Sequence, residues 1–182
     1  MSIIDQVLKN NEGYASGFSQ ASLAMPPAKK LAVVACMDAR LVISKILGTK
    51  EGDAHVIRNA GGIVTEDALR SLLISHYLLG TQEFMIINHT DCGMLTFKDE
   101  ELHARLQKET GNDAIIPTRF YAFSELDANV RAQIQRIKLH PWFPKHVPVR
   151  GFVYDVKTGR LREVSAEASV KAGASHGSAG ER

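Results

Sequence analysis

The sequence predicts an α/β fold in which helices flank a central, mainly parallel β-sheet. Short apolar runs rich in Val, Ile and Ala alternate along the chain with segments whose apolar residues recur at helical spacing. The first run, residues 31–36, is apolar throughout rather than alternating, as expected for a strand buried on both faces of a parallel sheet. The order of strand, helix, strand, helix, strand is typical of such a sheet.

Capping and turn residues indicate where the predicted helices and strands begin and end. Ser2 and Asp5 fit a capping box for a helix over residues 2–12, and the Gly/Ser/Pro-rich stretch 13–30 predicts a connector. Further along, Gly48 ends one predicted helix, while Thr65 caps another that ends at Gly80. Strands are predicted at 30–36, 53–60, 83–89 and on both sides of 157–159, and helices at 41–48, 66–79, 98–111 and 124–140.

The composition limits the organisation and the partners. We expect one domain over residues 1–165, with a helical arm at about 1–28, and a disordered Ala/Ser/Gly-rich tail at 166–182. The net charge of +2 argues against general nucleic-acid binding. No apolar run approaches the roughly 18 residues that span a bilayer, and no secretory signal is visible at the start. We therefore expect a cytoplasmic protein without nucleic-acid or membrane partners.

The two cysteines of the chain are candidate metal ligands rather than a disulfide, which a reducing cytosol disfavours. Cys36 ends the first apolar run, and His89 ends the third, three residues before Cys92. If these strands are neighbours, the three side chains converge at the carboxyl ends of the sheet, where ligands of such folds bind. Two thiolates and one imidazole suit Zn²⁺.

Asp38 and Arg40 follow directly and point the same way in an extended segment. Arg40 can hold the Asp38 carboxylate through two charge-assisted hydrogen bonds. With three protein ligands, the fourth metal position holds water, as in catalytic zinc sites, or Asp38 closes it. The pair could instead be a structural ion pair, and the domain a non-catalytic module stabilised by zinc, so these alternatives remain open.

The segments "CMDAR", "HVIRNAGG" and "HTDC" together resemble the pattern of the β-class carbonic anhydrases, over roughly residues 30–97. The resemblance implies that family's fold and a zinc-bound hydroxide that attacks CO₂ to give bicarbonate. It also implies an obligate dimer, often paired into a tetramer, in which the N-terminal helix embraces the partner. By position it makes Cys36, His89 and Cys92 the zinc ligands, Asp38 and Arg40 the catalytic pair, and Asn59, Ala60, Gly61 and Gly62 the lining of the substrate pocket.

Two positions depart from patterns found within that family. Lys50 stands where many plant-type members have a pocket glutamine, and Val33 stands where another subgroup has a tryptophan of an inhibitory bicarbonate site. The chain is more similar to a compact bacterial and fungal branch, which includes carbonyl sulfide hydrolases. Hydrolysis of COS to H₂S and CO₂ at the same zinc site is therefore the alternative activity.

Overall fold

A computed structural model describes residues 2–114, 117 and 119–166 of the chain. Except for Ala166, the predicted tail at 166–182 lies outside the described residues. In the described part, the α-helices are α1 (Ile3–Ser16), α2 (Ile43–Leu47), α3 (Glu66–Tyr77), α4 (Asp99–Thr110) and α5 (Leu126–Lys138). The strands are β1 (Leu31–Cys36), β2 (Ala54–Asn59), β3 (Glu83–His89), β4 (Val149–Tyr154) and β5 (Leu161–Val164).

The five strands form one sheet in the order β2-β1-β3-β4-β5. The pairs β1/β2, β1/β3 and β3/β4 are parallel, whereas β5 runs antiparallel to β4. The predicted α/β fold with a mainly parallel sheet is thereby confirmed. Because β1 and β3 are neighbours in parallel register, their carboxyl ends, which carry Cys36 and His89, lie at the same edge of the sheet.

Strand β1 is buried in the core, as its unbroken apolar run predicts. From Ala32 to Cys36 every residue is buried. Ala32 and Val34 pack on the face covered by α3 and α5, and Val33 and Ala35 pack on the opposite face with α2. Apolar burial on both faces holds this strand in place, so the residues at its carboxyl end start from a fixed position.

Helix α5 lies unusually close to the sheet because β4 has a glycine beneath it. A Cβ atom built at Gly151 would lie 2.8 Å from Cδ1 of Ile134 and closer still to Cγ1 of Val130, both on α5. Real Cβ atoms essentially never show such distances, so only glycine permits this approach. The docking height of α5 over β3 and β4 is therefore set by this residue.

The N-terminal helix differs from its prediction at one end. Ser2 caps α1 and forms the predicted capping box with Asp5, but the helix continues to Ser16 instead of ending at residue 12. The prediction of a connector from Gly13 was wrong for residues 13–16, because one glycine weakens a helix by only about 1 kcal/mol and need not end it.

None of the α1 residues is buried, and its apolar side chains Ile3, Ile4, Val7 and Leu8 are all more than half exposed. In the part of the chain that the structure describes, no helix has the length and apolar character needed to cross a lipid bilayer.

Candidate metal centre

Three buried donor side chains converge at the carboxyl edge of the sheet. Cys36 is the last residue of β1, His89 is the last of β3, and Cys92 follows one tight turn later. Their ligand atoms all lie within 4.8 Å of one another, and the two Sγ atoms are 4.0 Å apart. Two thiolates bound to one tetrahedral Zn²⁺ at about 2.3 Å would be about 3.8 Å apart, so the arrangement fits zinc with little movement.

The His89 ring presents a free lone pair to this group. Its Nδ1 lies 2.8 Å from the carbonyl oxygen of Thr90, and because a carbonyl only accepts, Nδ1 must carry the proton. In the neutral ring the Nε2 atom is then an acceptor, and it is buried with no hydrogen-bond partner among the described residues. Such an atom costs free energy unless something binds it. A metal ligated by Nε2 removes that cost, and the Thr90 contact fixes the ring as in other metal sites.

The two thiols share one negative charge in the absence of a cation. A hydrogen bond from Cys92 lowers the pKa of Cys36 to about 4, against the opposing effect of burial, with further help from His89 and from the backbone amides of Asp38 and Gly61. The same contact raises the pKa of Cys92 far above its usual range. Holding both as thiolates therefore requires a positive charge between them, which a divalent metal supplies.

Asp38 and Arg40 form the predicted bidentate pair beside these donors. The Arg40 guanidinium donates from Nε to Oδ1 of Asp38 at 2.9 Å and from Nη2 to Oδ2 at 2.8 Å. These bonds hold the pKa of the Asp38 carboxyl well below its usual range, and so keep it ionised. Oδ2 of Asp38 lies 3.7 Å from Nε2 of His89, so the carboxylate borders the space that a metal would occupy.

Asp91 is a participant that the sequence analysis missed. Its carboxylate accepts a hydrogen bond from Nη1 of Arg40 at 2.8 Å, and its backbone carbonyl accepts one from Nη2 at 3.0 Å. Asp91 has a left-handed backbone with φ of 56°, which turns it back toward Arg40 between His89 and Cys92. The signal available in the sequence was an aspartate in a two-residue turn, since Asp tolerates this conformation better than most residues.

Arg58 is a second missed participant. Its guanidinium donates two hydrogen bonds to the carbonyl oxygen of Cys36, at 3.0 and 2.9 Å, and one to that of Asp38 at 2.6 Å. It reaches them because Arg58 stands opposite Ala35 in the parallel register of β1 and β2. No spacing in the sequence reveals this contact, which depends on the pairing of the two strands.

The predicted pocket turn lies directly against the ligand strand. Asn59 is paired with Cys36 in the sheet, and its side chain bonds both the amide and the carbonyl of Ile63, which closes the turn. Gly61 and Gly62 are buried and have left-handed backbones, with φ of 79° and 63°. Ala60 is exposed. The structure therefore places the glycines of the turn, rather than Ala60, against the donor group.

Comparison with known proteins gives a consistent picture. Residues 31–161 match the model of a family described as carbonic anhydrase. The chain is 51% identical over 166 residues to β-carbonic anhydrase 1 of Mycobacterium tuberculosis, over 91% of this chain and 99% of that protein. It is 34% identical over 180 residues to a carbon disulfide hydrolase of Acidithiobacillus thiooxidans, over 89% and 90% of the two chains.

The fold has a similar counterpart among solved structures. A crystal structure of a carbonic anhydrase from Streptococcus mutans superposes with a TM-score of 0.86 at 41% sequence identity. The match covers 91% of this chain and 99% of that one. Both the sheet topology and most of the chain length are therefore shared with that protein.

Proposed function

The chain belongs to the β-carbonic anhydrase family, and from that premise we propose that it binds zinc through Cys36, His89 and Cys92 and hydrates CO₂ to bicarbonate. The family membership rests on the match over residues 31–161 and on the 51% identity to a β-carbonic anhydrase. The observation that carries the zinc site is the buried, unpartnered Nε2 of His89, which lies with two thiols in one group of ligand atoms. That combination suits a soft divalent metal better than a hydrogen-bonded core.

The residues around the donors suit a catalytic site. A zinc ion at such a site lowers the pKa of water to about 7 and so supplies a nucleophile at neutral pH. Asp38, whose pKa is held low by Arg40, would accept a hydrogen bond from the attacking water and so orient a lone pair of that water toward the carbon of CO₂. Arg40 holds both carboxylate oxygens of Asp38, which fixes their direction and opposes their binding to the metal.

The pocket turn would provide the surface on which CO₂ rests. CO₂ is small, linear and weakly polar, so it requires a shaped and largely apolar surface rather than a strong anchoring group. Gly61 packs closely against two apolar side chains, since a Cβ on this glycine would lie 3.1 Å from Cγ of Met94 and 3.2 Å from Cε1 of Phe123. These apolar neighbours support a role for Gly61 in forming the pocket, and Asn59 and Gly62 belong to the same turn, whereas Ala60 is exposed.

Hydrolysis of a sulfur analogue is the second candidate function. It is supported by the 34% identity to a carbon disulfide hydrolase. COS and CS₂ are also linear and apolar, and water attacks their carbon in the same way as that of CO₂. The greater identity to a β-carbonic anhydrase favours CO₂ as the main substrate.

A side-by-side assay tests both activities. Stopped-flow CO₂ hydration at about pH 8.5 and H₂S release from COS or CS₂ are measured on one zinc-loaded sample. The matched control is Cys36→Ser, which keeps the volume of the ligand but weakens zinc binding. We expect CO₂ turnover in the wild type and its loss with zinc in the control. A wild type that binds zinc but hydrates CO₂ no faster than buffer would contradict the proposal, and H₂S release alone would establish the alternative.

We further propose that the chain works as a homodimer or homotetramer. The support is α1, whose side chains Ile3, Ile4, Val7 and Leu8 expose an apolar face that nothing in the described chain covers. Val7→Glu should lower the mass measured by sedimentation if this face joins two copies.

We also propose that the enzyme works in the cytoplasm. The support is that Cys36 and Cys92 are free thiols with sulfur atoms 4.0 Å apart. An oxidising compartment would put such a pair at risk of oxidation, whereas the cytosol keeps thiols reduced. Cell fractionation tests this location.

A further inference from the structure

Three side-chain amides link helix α5 to the turn beside the metal ligands. We call Asn88, Asn129 and Gln133 the amide relay. The backbone N–H of Val64 donates to Oε1 of Gln133 at 2.9 Å, and Nε2 of Gln133 donates to Oδ1 of Asn129 at 2.8 Å. Nδ2 of Asn129 donates to Oδ1 of Asn88 at 2.8 Å, and Nδ2 of Asn88 donates to the carbonyl of Gly61 at 2.8 Å.

The two ends of the relay fix its direction. A backbone N–H can only donate and a backbone carbonyl can only accept, so each of the three amides must turn its oxygen toward Val64 and its nitrogen toward Gly61. The relay therefore has one orientation, and it begins and ends on the same short turn. Asn88 and Gln133 are only 1% and 4% exposed, so water cannot easily replace a lost link.

The relay and the first metal ligand both lie against the turn at Gly62. A Cβ atom built on Gly62 would lie 2.8 Å from Nδ2 of Asn88 and 2.9 Å from the backbone nitrogen of Cys36. The turn therefore has no free space between the relay and the ligand strand. Because Gly61 and Gly62 have no side chains of their own, their backbone needs outside contacts to hold one conformation.

We propose that Asn88, Asn129 and Gln133 are positioning residues of the metal centre, which fix the glycine turn against Cys36 and so set the geometry of the metal ligands. The inference rests on the proposed zinc site. Groups that orient metal ligands typically change metal affinity or activity by about 10- to 100-fold when removed.

The position of α5 makes the relay possible. Asn129 and Gln133 are four residues apart and so lie on one face of the helix. That face reaches Asn88 because Gly151 lets α5 approach the sheet closely. The relay therefore connects the docking of a helix to the shape of a site at the carboxyl edge of the sheet.

Two relay variants and one matched control test the proposal. Gln133→Leu keeps a similar volume but removes both links made by this side chain, and Asn129→Leu breaks the relay at its half-buried centre. The control is Ile134→Val, a buried position on the same helix that packs toward Gly151 and carries no relay atom. For each protein we would measure thermal stability, zinc affinity by competition with a chelator, the absorption spectrum of the Co²⁺-substituted form, and kcat and KM separately.

We expect both relay variants to lose zinc affinity by about tenfold or more and to change the thiolate-to-cobalt absorption. Ile134→Val should melt at a lower temperature yet keep the wild-type affinity and spectrum. Relay variants that are destabilised like the control, but bind zinc and absorb light as the wild type does, would overturn the proposal. If Gln133→Leu does not fold, the zinc affinity and cobalt spectrum of Asn129→Leu alone support or overturn the proposal.

Metal binding and the cobalt spectrum are read without any substrate, which separates this test from that of the proposed activity. A wild type that binds zinc but does not turn over CO₂ would contradict the proposed function alone. Wild-type affinity and spectrum in the relay variants would contradict the positioning role alone.

Discussion

Replacing Gly62 by alanine should reveal how tightly the glycine turn is held. Gly62 has a φ of +63°, a conformation that costs a residue with a side chain about 1–2 kcal/mol. The new Cβ would also lie 2.8 Å from Nδ2 of Asn88, 2.9 Å from the Cys36 nitrogen and 3.0 Å from the Ile87 carbonyl oxygen. Two of these three neighbours are backbone atoms, so the crowding cannot be relieved by a rotamer change alone.

The expected loss of stability is the sum of two effects. Crowding of a packed interior by a methyl group costs about 1–3 kcal/mol, which adds to the conformational cost. We therefore expect Gly62→Ala to lower the free energy of unfolding by about 2–5 kcal/mol, as the sum of these two contributions. A shift of the neighbouring Cys36 should also weaken zinc binding.

Gly48→Ala is the matched control for the conformational part. Gly48 has nearly the same φ of +64°, at the end of α2, but nothing lies within 4 Å of its Cβ position. Both changes remove a glycine from the unfolded chain, so that contribution cancels in the comparison. The assay is urea unfolding of both metal-free variants. Equal losses for Gly62→Ala and Gly48→Ala would refute the close approach on which the reasoning depends.

Three further predictions concern carboxylates. Asp38→Ala should keep zinc but lower kcat for CO₂ hydration by about 100-fold or more, since the attacking water loses its acceptor, and a wild-type kcat would contradict that role. Asp91→Ala removes only one partner of Arg40, in an exposed ion pair, so kcat/KM should fall less than about fivefold. A loss as large as that of Asp38→Ala would contradict the smaller role given to Asp91.

The third of these predictions is a pH dependence of stability. Burial tends to raise the pKa of Asp99, but hydrogen bonds from three consecutive backbone amides outweigh it and leave the pKa lowered. Its stabilising effect is therefore present above the unfolded-state value of about 3.9 and is lost as the pH falls through the folded-state value. Asp99→Asn should be less stable than the wild type at pH 7, and the gap in urea unfolding should close below about pH 4; a gap that does not vary with pH would count against this assignment.

The sequence was informative about the fold because its local patterns follow directly from burial. The unbroken apolar run ending at Cys36 indicated a strand covered on both faces, and β1 is such a strand. Capping signals at Ser2 and Thr65 were likewise confirmed, since a cap depends only on residues within one turn of helix. The misplaced end of α1 reflects a weak signal, because a single glycine only slightly disfavours a helix.

The group of candidate metal ligands could also be predicted from the sequence. Cys36, His89 and Cys92 stand at the ends of apolar runs, and parallel neighbours bring such ends together. Asp38 and Arg40 are close in the chain, so their pairing needed no tertiary information. The roles proposed for these residues are tested by the zinc-binding and activity measurements on their variants.

What the sequence determined by itself is thus the alternation of strands and helices and the chemistry of the donor side chains, because both depend on residues near one another or on the repeating period of burial. Only the tertiary structure decided what surrounds those donors. Arg40 meets Asp91 across 51 positions, and Asn88 meets Asn129 across 41. Such contacts depend on which residues are paired between strands and on how closely α5 approaches the sheet at Gly151. The spacing of residues along the chain does not reveal either one.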